Sequence, residues 1–311
     1  MATVLFVVHP GRPDAAILAE KTAAWLKSRG HQAVWAPEEL VAQGPEDEPP
    51  AMPKGSREIG FTDDVDLAVS LGGDGTMLRA VELASGADLP VLGVNLGRLG
   101  YLTEVEPSGL QLALGRFLDG DFTVEERMTL EVSVEPDQAY SEAENRNEPA
   151  DRAHGPHGKV PAATYLALNE AAVEKTVPGH TIRLASSIAG RPFITYAADG
   201  LLVATPTGST AYNLSARGPI LSPSLRAIVV TPLSPHMLFD RALVLEPDES
   251  LRLEVAGPRP GVLVIDGLTA GILVPGDAVV CRVSKTCARL VSFAGRDFYS
   301  ILKARFGLTD R

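Results

Sequence analysis

The sequence has few cysteines, no basic cluster and no long apolar run, and each absence excludes a class of protein. Its two cysteines, Cys281 and Cys287, cannot form the disulfide framework of a small secreted protein, and no Cys-x-x-Cys metal spacing occurs. The net charge is −11 and Lys and Arg do not cluster, unlike in a nucleic-acid-binding protein. No stretch approaches the ~20 apolar residues that a membrane helix requires.

The short apolar run near the amino terminus is predicted to be a first strand and not a secretion signal, because no basic residues precede it. The 311 residues, 45% hydrophobic and 22% charged, have the composition of a globular protein. At ~100–200 residues per domain, this length predicts two domains. We therefore expect a cytoplasmic protein that acts on small molecules and has neither nucleic-acid nor membrane partners.

Residues 1–122 alternate between apolar runs of strand length and amphipathic helical stretches. This order predicts an α/β domain with a parallel sheet. Three of the runs are Thr3–Val8, Asp66–Leu71 and Leu89–Val94. The stretch 37–60 is rich in Pro, Gly and Glu without periodicity, and is predicted to be a surface loop.

The pattern changes at residue 123, and up to residue 293 the apolar runs are short, alternating and separated by Gly, Pro or Asp. This pattern predicts an all-β domain of stacked, sandwich-like sheets, with Tyr165–Val173 as one of its strands. The polar segment Pro136–Lys159 is predicted to be a disordered insertion between two strands. Residues 294–311 have helical spacing, and we expect this C-terminal helix to return to the first domain and pack on it.

A glycine-rich turn, Gly72-Gly73-Asp74-Gly75-Thr76, joins a predicted strand to a helix predicted to begin at Met77. At the carboxyl end of a strand, such glycines let backbone N–H groups approach an anion, which the helix dipole also favours. The turn is neither a Walker A loop nor the three-glycine dinucleotide fingerprint. Asp74 therefore has either a chemical role, binding Mg²⁺ or accepting a proton, or the structural role of a helix cap.

Two further segments combine polar residues with strand ends. Gly93–Thr103, which includes Tyr101, is glycine-rich and either closes over a flat ligand or is a structural loop. Asn169-Glu170 interrupts an apolar strand, and adjacent strand residues point to opposite faces. At least one of the pair would then be buried without a partner unless it contacts a ligand, or unless it lies at a strand edge.

The densest group of polar side chains lies in Asp199–Asn213. A strand ends at Thr205-Pro206, and a short helix is predicted to open at Gly208. Hydroxyl groups beside the free N–H groups of a first helical turn suit a phosphate or a ribose; here they belong to Thr207, Ser209 and Thr210. A simple helix cap needs only one hydroxyl, so the run favours a ligand site.

Gly72–Thr76, Asn169-Glu170 and Asp199–Asn213, in this order and spacing, resemble the NAD kinase family, which phosphorylates the 2′-hydroxyl of the adenosine ribose of NAD⁺. The segment Thr205–Tyr212 carries the resemblance most specifically. The Gly-Gly-Asp-Gly-Thr turn alone is shared with diacylglycerol-type lipid kinases and, approximately, with phosphofructokinases. The resemblance implies an enzyme that uses NAD⁺, ATP or polyphosphate, and Mg²⁺ or another divalent metal. It also implies a homo-oligomer, dimer or tetramer, and gives NAD binding and oligomer contacts to the domain 123–293.

The resemblance further implies roles for individual residues. Asp74 would accept the proton of the 2′-hydroxyl, and no protein side chain is assigned to the metal. The residues implied to bind or lie close to the nucleotides are Gly72, Gly73, Gly75, Thr76, Tyr101, Asn169, Glu170, Asp199, Thr207, Thr210, Ala211 and Tyr212. The glycines would lie near the donor phosphates, and Asn169 and Glu170 would bind the adenosine ribose and bridging phosphates. Asp266-Gly267 matches a late turn that approaches the site from a neighbouring subunit.

The sequence departs from the family pattern at two places. Arg217-Gly218-Pro219 stands where the family usually has a pair of glycines, so Arg217 either alters local packing or contacts a phosphate. The insertion Pro136–Lys159 is longer than the usual turn. Its His154 and His157 are a poor candidate for a metal pair, because a disordered segment does not preorganise ligands.

Two other functions are weighed against NAD phosphorylation. A lipid kinase would typically expose an apolar patch or a basic membrane face, and this acidic chain shows neither. A non-catalytic dinucleotide-binding regulator would gain nothing from the Asp74 carboxylate beside phosphates. No Gly-x-Ser-x-Gly nucleophile occurs, and phosphoryl transfer needs none, since it depends on positioning and charge neutralisation.

Overall fold

The computed structural model describes residues 1–37, 64–97, 100–137, 158–293 and 297–308. It divides into two compact units. The first contains the described residues of 1–127 and 286–308, and the second contains those of 128–285. No helix in these ranges is long and apolar enough to cross a membrane.

Two predicted segments lie largely outside the described residues. They are the loop 37–60 and the insertion Pro136–Lys159, including His154 and His157. The described beginning of the insertion is bound to the second unit, because the Asp137 N–H donates to Asp277 Oδ1 at 2.8 Å. The disorder of the insertion stays a prediction.

The first unit is built on a parallel sheet, as the sequence predicted. Its elements are β1 (Thr3–Val8), α1 (Pro13–Ser28), β2 (Gln32–Trp35), β3 (Leu67–Gly72), α2 (Asp74–Ser85), β4 (Pro90–Asn95), a 3₁₀ turn (Pro107–Gly109) and α3 (Leu110–Leu118). The strand order is β2-β1-β3-β4, and all of these pairs are parallel. Side chains of α1 and α3 share one buried cluster with the strands. β3 is buried along its whole length, which explains its continuous apolar run.

The direction of the strand order reverses between β1 and β3. From β1 the chain crosses to β2 on one side, and from β3 it crosses to β4 on the other. The carboxyl ends of β1 and β3 pair through Val8 and Leu71, so they border the crevice at which open α/β sheets bind ligands. The helix after β3 begins at Asp74 and not at Met77, because an aspartate in the first turn interacts favourably with the helix dipole.

The second unit contains two antiparallel sheets. Its elements are β5 (Thr123–Glu135), β6 (Thr164–Ala167), β7 (Glu170–Lys175), β8 (Ile182–Ile188), β9 (Arg191–Ala198), β10 (Gly200–Ala204), a 3₁₀ turn (Thr207–Thr210), α4 (Tyr212–Ser215), β11 (Ile228–Leu233), β12 (Leu243–Leu245), β13 (Leu251–Val255), β14 (Gly261–Ile265), β15 (Leu268–Leu273) and β16 (Ala278–Ser292). One sheet has the order β12-β11-β10-β7-β14-β15. In the other, β16, β13, β8 and β9 are successive neighbours, and β5 pairs with β16 and β6. β5 begins and β16 ends in the first unit, where Arg289 and Leu290 pair in parallel with β4.

Both sheets of the second unit contribute to one apolar core. Leu201 and Val203 of β10 belong to the same buried cluster as Leu251 and Leu253 of β13. The alternate residues of β10, among them Leu202, belong to a smaller cluster on the other face of their sheet. The prediction of stacked sheets in a C-terminal β-rich domain is confirmed.

The predicted C-terminal helix is present as α5 (Phe298–Phe306). Asp297 caps its first turn by accepting the Tyr299 N–H at 3.1 Å, and Gly307 ends it in the left-handed region at φ 60°. The helix contacts Tyr101 of the first unit from two positions. The Phe298 ring lies 6.4 Å from the Tyr101 ring, and the Arg305 guanidinium lies 4.7 Å from that ring's centre.

The predicted single strand Tyr165–Val173 is wrong. The segment forms two strands in different sheets, because β6 pairs with β5 whereas β7 pairs with β10 and β14. Leu168 and Asn169 lie between the two strands. Their N–H groups donate to the Asp266 carboxylate at 2.7 and 2.8 Å, and this replaces the ladder bonds of a continuous strand.

Arg217, the first departure from the family pattern, adopts the backbone conformation that glycine favours. Its φ is 61°, in the left-handed region, and its side chain is exposed. The next residue, Gly218, must lack a side chain, because a Cβ there would lie 2.0 Å from Asn213 Oδ1. Arg217 therefore occupies a glycine conformation at a cost of about 1–2 kcal/mol.

We expect Arg217→Gly to stabilise the protein. Glycine adopts the left-handed conformation without the cost that Arg217 has there. This gain exceeds the ~0.4–1 kcal/mol by which a new glycine stabilises the unfolded chain through its greater conformational entropy. The melting temperature should rise by about 1–3 °C in a thermal denaturation experiment. Arg217→Ala is the matched control, because it removes the guanidinium but keeps the Cβ, and should give no rise. A lower melting temperature in both variants would instead indicate a stabilising contact of the guanidinium.

Candidate active site

The predicted site residues form two groups, one in each unit, and the first surrounds the turn after β3. A Cβ on Gly72 would lie 2.1 Å from the Oγ1 of the buried Thr76, so the fold itself requires this glycine. A Cβ on Gly73 would have no described atom within 4 Å. The backbone of Gly73 is extended (φ −112°, ψ −164°), a conformation that any residue adopts. The fold therefore leaves the space beside Gly73 open to a ligand.

The Asp74 carboxylate is bound by the second glycine-rich segment. Its Oδ2 accepts the Tyr101 N–H at 3.0 Å, and its Oδ1 accepts the Leu102 N–H at 3.2 Å. Gly100 permits this approach, because a Cβ there would lie 2.1 Å from Asp74 Oδ1. The cap position of α2 belongs to Gly73, and no side chain caps the helix. The interpretation of Asp74 as a helix cap is therefore wrong.

Tyr101 lies next to Asp74 and is covered by α5. Partial burial raises the pKa of its phenol, and the Asp74 charge acts in the same direction, whereas Arg305 lowers it. In the first unit the structure thus brings together Asp74, Tyr101 and the turn that contains Gly73, Gly75 and Thr76.

Arg12 is a candidate that the sequence argument missed. It follows β1, whose carboxyl end borders the same crevice as the Gly72–Thr76 turn. Its Nε and Nη2 donate to Asp14 at 3.2 and 2.9 Å. Its Nη1 lies 3.5 Å from the position that a Cβ of Gly97 would take, in the second glycine-rich segment. The proximity of Arg12 to the second glycine-rich segment follows from the strand order and could not be read from the sequence.

The second group begins with Glu170, a buried carboxyl at the start of β7. Glu170 is 7% exposed, and its Oε2 has no hydrogen-bond partner among the described residues. The pKa of Glu170 is raised from 4.5 to about 8: burial is the largest cause, the Asp266 charge acts in the same direction, and the Tyr212 backbone N–H opposes both. At neutral pH the side chain is therefore mostly protonated.

The Asn169-Glu170 pair and the Thr205–Thr210 segment lie in direct contact. Gly208 packs on the Asn169 carbonyl, and a Cβ on Gly208 would lie 2.0 Å from that oxygen. Thr205 Oγ1 donates to the Leu168 carbonyl at 2.5 Å and accepts the Gly208 N–H at 3.0 Å. The two segments, predicted separately, are thus held in direct contact by backbone and hydroxyl hydrogen bonds.

Only one of the three predicted hydroxyls has no partner among the described residues. Ser209 Oγ donates to the Pro206 carbonyl at 2.6 Å, and Thr210 Oγ1 donates to the Thr207 carbonyl at 3.3 Å. Thr207 Oγ1 is buried and has no partner in the described chain. The predicted helix is a 3₁₀ turn followed by the four-residue α4, so its dipole is small.

Tyr212 and Asp199 each have a charged partner on or beside β7. Tyr212 Oη donates to Glu174 Oε1 at 2.6 Å, and the Lys175 ammonium lies 2.7 Å from Asp199 Oδ1. Burial raises the pKa of Tyr212, and its bond to Glu174 adds to the shift. Ala211 connects the 3₁₀ turn to α4 beside these groups. Glu174 was not predicted from the sequence, because only the packing of Tyr212 identifies it.

A divalent metal fits the first group only together with a ligand. No cluster of three or more His, Cys, Asp or Glu side chains suited to a metal occurs in the described ranges. Mg²⁺ usually binds one or two carboxylates plus substrate phosphates and water, and needs no cage of protein ligands. Asp74 is the one carboxylate of the Gly72–Thr76 turn.

Comparisons with known proteins identify relatives over nearly the whole chain. Family profiles described as the ATP-NAD kinase N-terminal and C-terminal domains match residues 4–122 and 168–293. The NAD kinase of Heliobacterium modesticaldum is 38% identical over 306 residues, which are 98% of each chain. That of Syntrophotalea carbinolica is 35% identical over 300 residues, or 96% of each.

Two solved structures share the fold. Yeast NADH kinase complexed with NADH has a TM-score of 0.81 at 23% identity and covers 100% of this chain and 89% of its own. An NAD kinase from Archaeoglobus fulgidus in complex with ATP has a TM-score of 0.65 at 22% identity, with 98% and 97% covered. At this level of identity the likeness shows the fold alone.

Glu170→Gln should remove a pH-dependent loss of stability. The folded protein binds a proton at Glu170 up to a pKa of about 8, whereas the unfolded chain releases it near 4.5, so wild-type stability falls as pH rises through this window. The variant should therefore gain stability over the wild type between about pH 5 and 8, on the order of a few kcal/mol at ~1.4 kcal/mol per pKa unit. Urea denaturation across this range measures the difference. The exposed Glu20→Gln is the control, and a pH-independent difference for Glu170→Gln would contradict the raised pKa.

Proposed function

The chain belongs to the NAD kinase family, which transfers a phosphoryl group from ATP to the adenosine-ribose 2′-hydroxyl of NAD, and we propose that Asp74 accepts the proton of that hydroxyl. The protein is thus an enzyme, a phosphotransferase that converts NAD⁺ to NADP⁺. The family assignment gives no support to a lipid kinase or to a non-catalytic regulator.

The fixed position of the Asp74 carboxylate carries the proposal. Each of its oxygens accepts a backbone N–H, so the side chain cannot turn away, and the open space beside Gly73 adjoins it along the chain. Phosphoryl transfer depends on positioning far more than on covalent chemistry. A base held in one orientation beside a ligand space meets that requirement.

The donor phosphates are proposed to lie at the Gly72–Thr76 turn. The backbone N–H groups of Gly73 and Gly75 and the amino-terminal end of the twelve-residue α2 favour an anion there. The Arg12 guanidinium lies at the same crevice, where its ion pair with Asp14 offsets its charge. A divalent metal, when bound, would neutralise charge on the phosphates and would be held by those phosphates and by water, while Asp74 keeps the role of the base.

NAD⁺ is proposed to bind the second group. Glu170 Oε2 and Thr207 Oγ1 are buried polar atoms that have no partner among the described residues, and an unpaired buried polar atom is costly unless a ligand satisfies it. Ribose hydroxyls can both donate to and accept from such groups. Asn169, Asp199, Thr210, Ala211 and Tyr212 belong to the same or directly bonded segments and complete the proposed dinucleotide contacts.

The remaining features of the enzyme are proposals that the family resemblance supports. ATP is the donor of the family, and use of polyphosphate is a further possibility to be measured. A cytoplasmic location and a homo-oligomer belong to the same expectation. The oligomer contacts are proposed to lie in the second unit. Its strands β9 and β12 are sheet edges and carry the exposed Phe193 and Val244. Such edges are usually covered.

Asp74→Asn tests the proposed base. Turnover should fall by at least ~100-fold, the lower end for a general base, because the amide cannot accept the proton. NAD⁺ affinity should change far less, since the contacts of the second group are untouched. The assay supplies NAD⁺, ATP and Mg²⁺ and detects NADP⁺ with an NADP-specific dehydrogenase, while calorimetry gives NAD⁺ affinity.

Asp88→Asn is the matched control for this experiment. Asp88 follows the other end of α2 and forms an exposed ion pair with Arg289 at 3.1 Å, so turnover should be unchanged. The melting temperature of Asp74→Asn must also be measured. In this variant the amide nitrogen, a donor, would face one of the two backbone N–H groups that now donate to Asp74, so one hydrogen bond is lost. Near-normal turnover in a folded Asp74→Asn variant would show that Asp74 is not the general base.

Substitutions of Gly72 and Gly73 distinguish a glycine needed for packing from a glycine needed for ligand binding. Gly73→Ala should keep the wild-type melting temperature, because its Cβ meets no described atom, but should raise the KM for ATP at least about tenfold by occupying the ligand space. Gly72→Ala should instead lower stability by about 1–3 kcal/mol through its clash with Thr76. Thermal denaturation and initial rates measure both effects. An unchanged KM for ATP in Gly73→Ala would show that the donor phosphates lie elsewhere.

A further inference from the structure

We propose that Asp266 is a positioning residue for NAD: it fixes the backbone of residues 168–170 so that the Asn169 and Glu170 side chains keep the orientation in which they bind the dinucleotide. This inference rests on the function proposed above for that pair. The family resemblance suggested a different role, an approach of the Asp266-Gly267 turn to a neighbouring subunit. The contacts within the chain give the residue a task of its own.

Asp266 lies in a tight hairpin turn between β14 and β15. Both central residues have positive φ, 48° for Asp266 and 81° for Gly267, as in a type I′ turn. Aspartate and glycine are the residues that tolerate this conformation most readily. The Asp266 N–H donates to the Glu170 carbonyl at 2.9 Å, so the turn is attached to the first residue of β7.

The Asp266 carboxylate accepts three consecutive backbone N–H groups. Oδ2 accepts that of Leu168 at 2.7 Å, and Oδ1 accepts those of Asn169 at 2.8 Å and Glu170 at 3.0 Å. Leu168 and Asn169 lie between two strands that belong to different sheets, so no ladder partner is available to them. Hydrogen bonds to an ionised acceptor are short and strong, and three of them fix the peptide planes here.

These peptide planes determine where the Asn169 and Glu170 side chains point. Rotation of the 169–170 peptide would turn Glu170 Oε2 away from its buried, unpartnered position and would move the Asn169 carbonyl on which Gly208 packs. Thr207 Oγ1, which is also buried and has no partner among the described residues, belongs to the segment that contains Gly208. One carboxylate therefore controls the geometry of the whole pair.

Asp266 also acts on Glu170 through its charge. The groups that face Glu170 are Asp266 on the hairpin turn, whose charge raises the pKa of Glu170, and the Tyr212 backbone N–H, which lowers it. The charge of Glu170 in turn reaches the Tyr212 phenol, as do those of Glu174 and Asp199, and Asp199 is paired with Lys175. Removal of the Asp266 charge should therefore ease ionisation of Glu170, whereas a purely mechanical support would not change it.

Asp266→Asn is the informative variant. It keeps the size of the side chain but offers one acceptor oxygen in place of two, so it loses at least one of the three N–H bonds. The KM for NAD⁺ should rise at least about tenfold, while the KM for ATP stays unchanged. The midpoint of the pH dependence of the NAD⁺ KM should move to lower pH, because the charge that opposes ionisation of Glu170 is gone.

Asp277→Asn is the matched control. Asp277 is fully buried in the same unit and accepts the N–H groups of Asp137 and Val274 at 2.8 and 2.9 Å, so its loss tests a support of the same chemistry. This variant should lose stability but keep both KM values and the pH midpoint. If Asp266→Asn behaves in the same way, Asp266 is a structural residue only, and the inference is overturned.

Two further sets of variants keep the outcome decisive. If Asp266→Asn does not fold, Asp266→Glu is used instead, because it keeps the charge but displaces the carboxylate oxygens. It should raise the KM for NAD⁺ while the pH midpoint stays near that of the wild type. An unchanged KM for NAD⁺ overturns the inference. Asn169→Ala and Glu170→Gln test the underlying function. If both leave the KM for NAD⁺ unchanged, the proposed NAD contacts and this inference fall together; if both raise it and the Asp266 variants do not, only the inference falls.

Discussion

Backbone N–H groups that leave a strand without a ladder partner must find another acceptor, and in both units a carboxylate provides it. In the first unit Asp74 accepts the N–H groups of Tyr101 and Leu102. In the second, Asp266 accepts those of residues 168–170. Irregular backbone is thereby held as firmly as a sheet, which is what a site on loops requires in order to present side chains at fixed positions.

This use of carboxylates creates an electrostatic problem, because the substrates are anionic and the chain carries a net charge of −11. The described site residues reduce the conflict locally. Lys175 neutralises Asp199, burial keeps Glu170 protonated near neutral pH, and each oxygen of Asp74 accepts an N–H. The groups left to meet a ligand are then hydroxyls, backbone N–H groups and the Arg12 guanidinium, whose charge is offset by Asp14.

The sequence predicted those features that depend on neighbouring residues. Strand–helix alternation indicated the parallel sheet, and the Gly72–Thr76 turn was identifiable because its five residues are consecutive. The partners of these residues were not predicted, because they depend on strand order and on long loops. Asp266 lies 97 residues from Asn169, and Tyr101 lies 27 residues from Asp74. The apolar run Tyr165–Val173 was misjudged as one strand, since periodicity does not show that a chain changes sheets.

The contrast between Gly72 and Gly73 has a consequence for how this sequence can diverge. Gly72 is required by contact with Thr76, whereas no described atom opposes a side chain at Gly73. Folding therefore requires the first glycine, whereas only the proposed donor site requires the second. In a lineage that no longer needed the activity, position 73 would be free to change while position 72 stayed glycine. Under the proposed function, the residue at position 73 reports whether the donor site is still needed, and the residue at position 72 reports only whether the chain still folds.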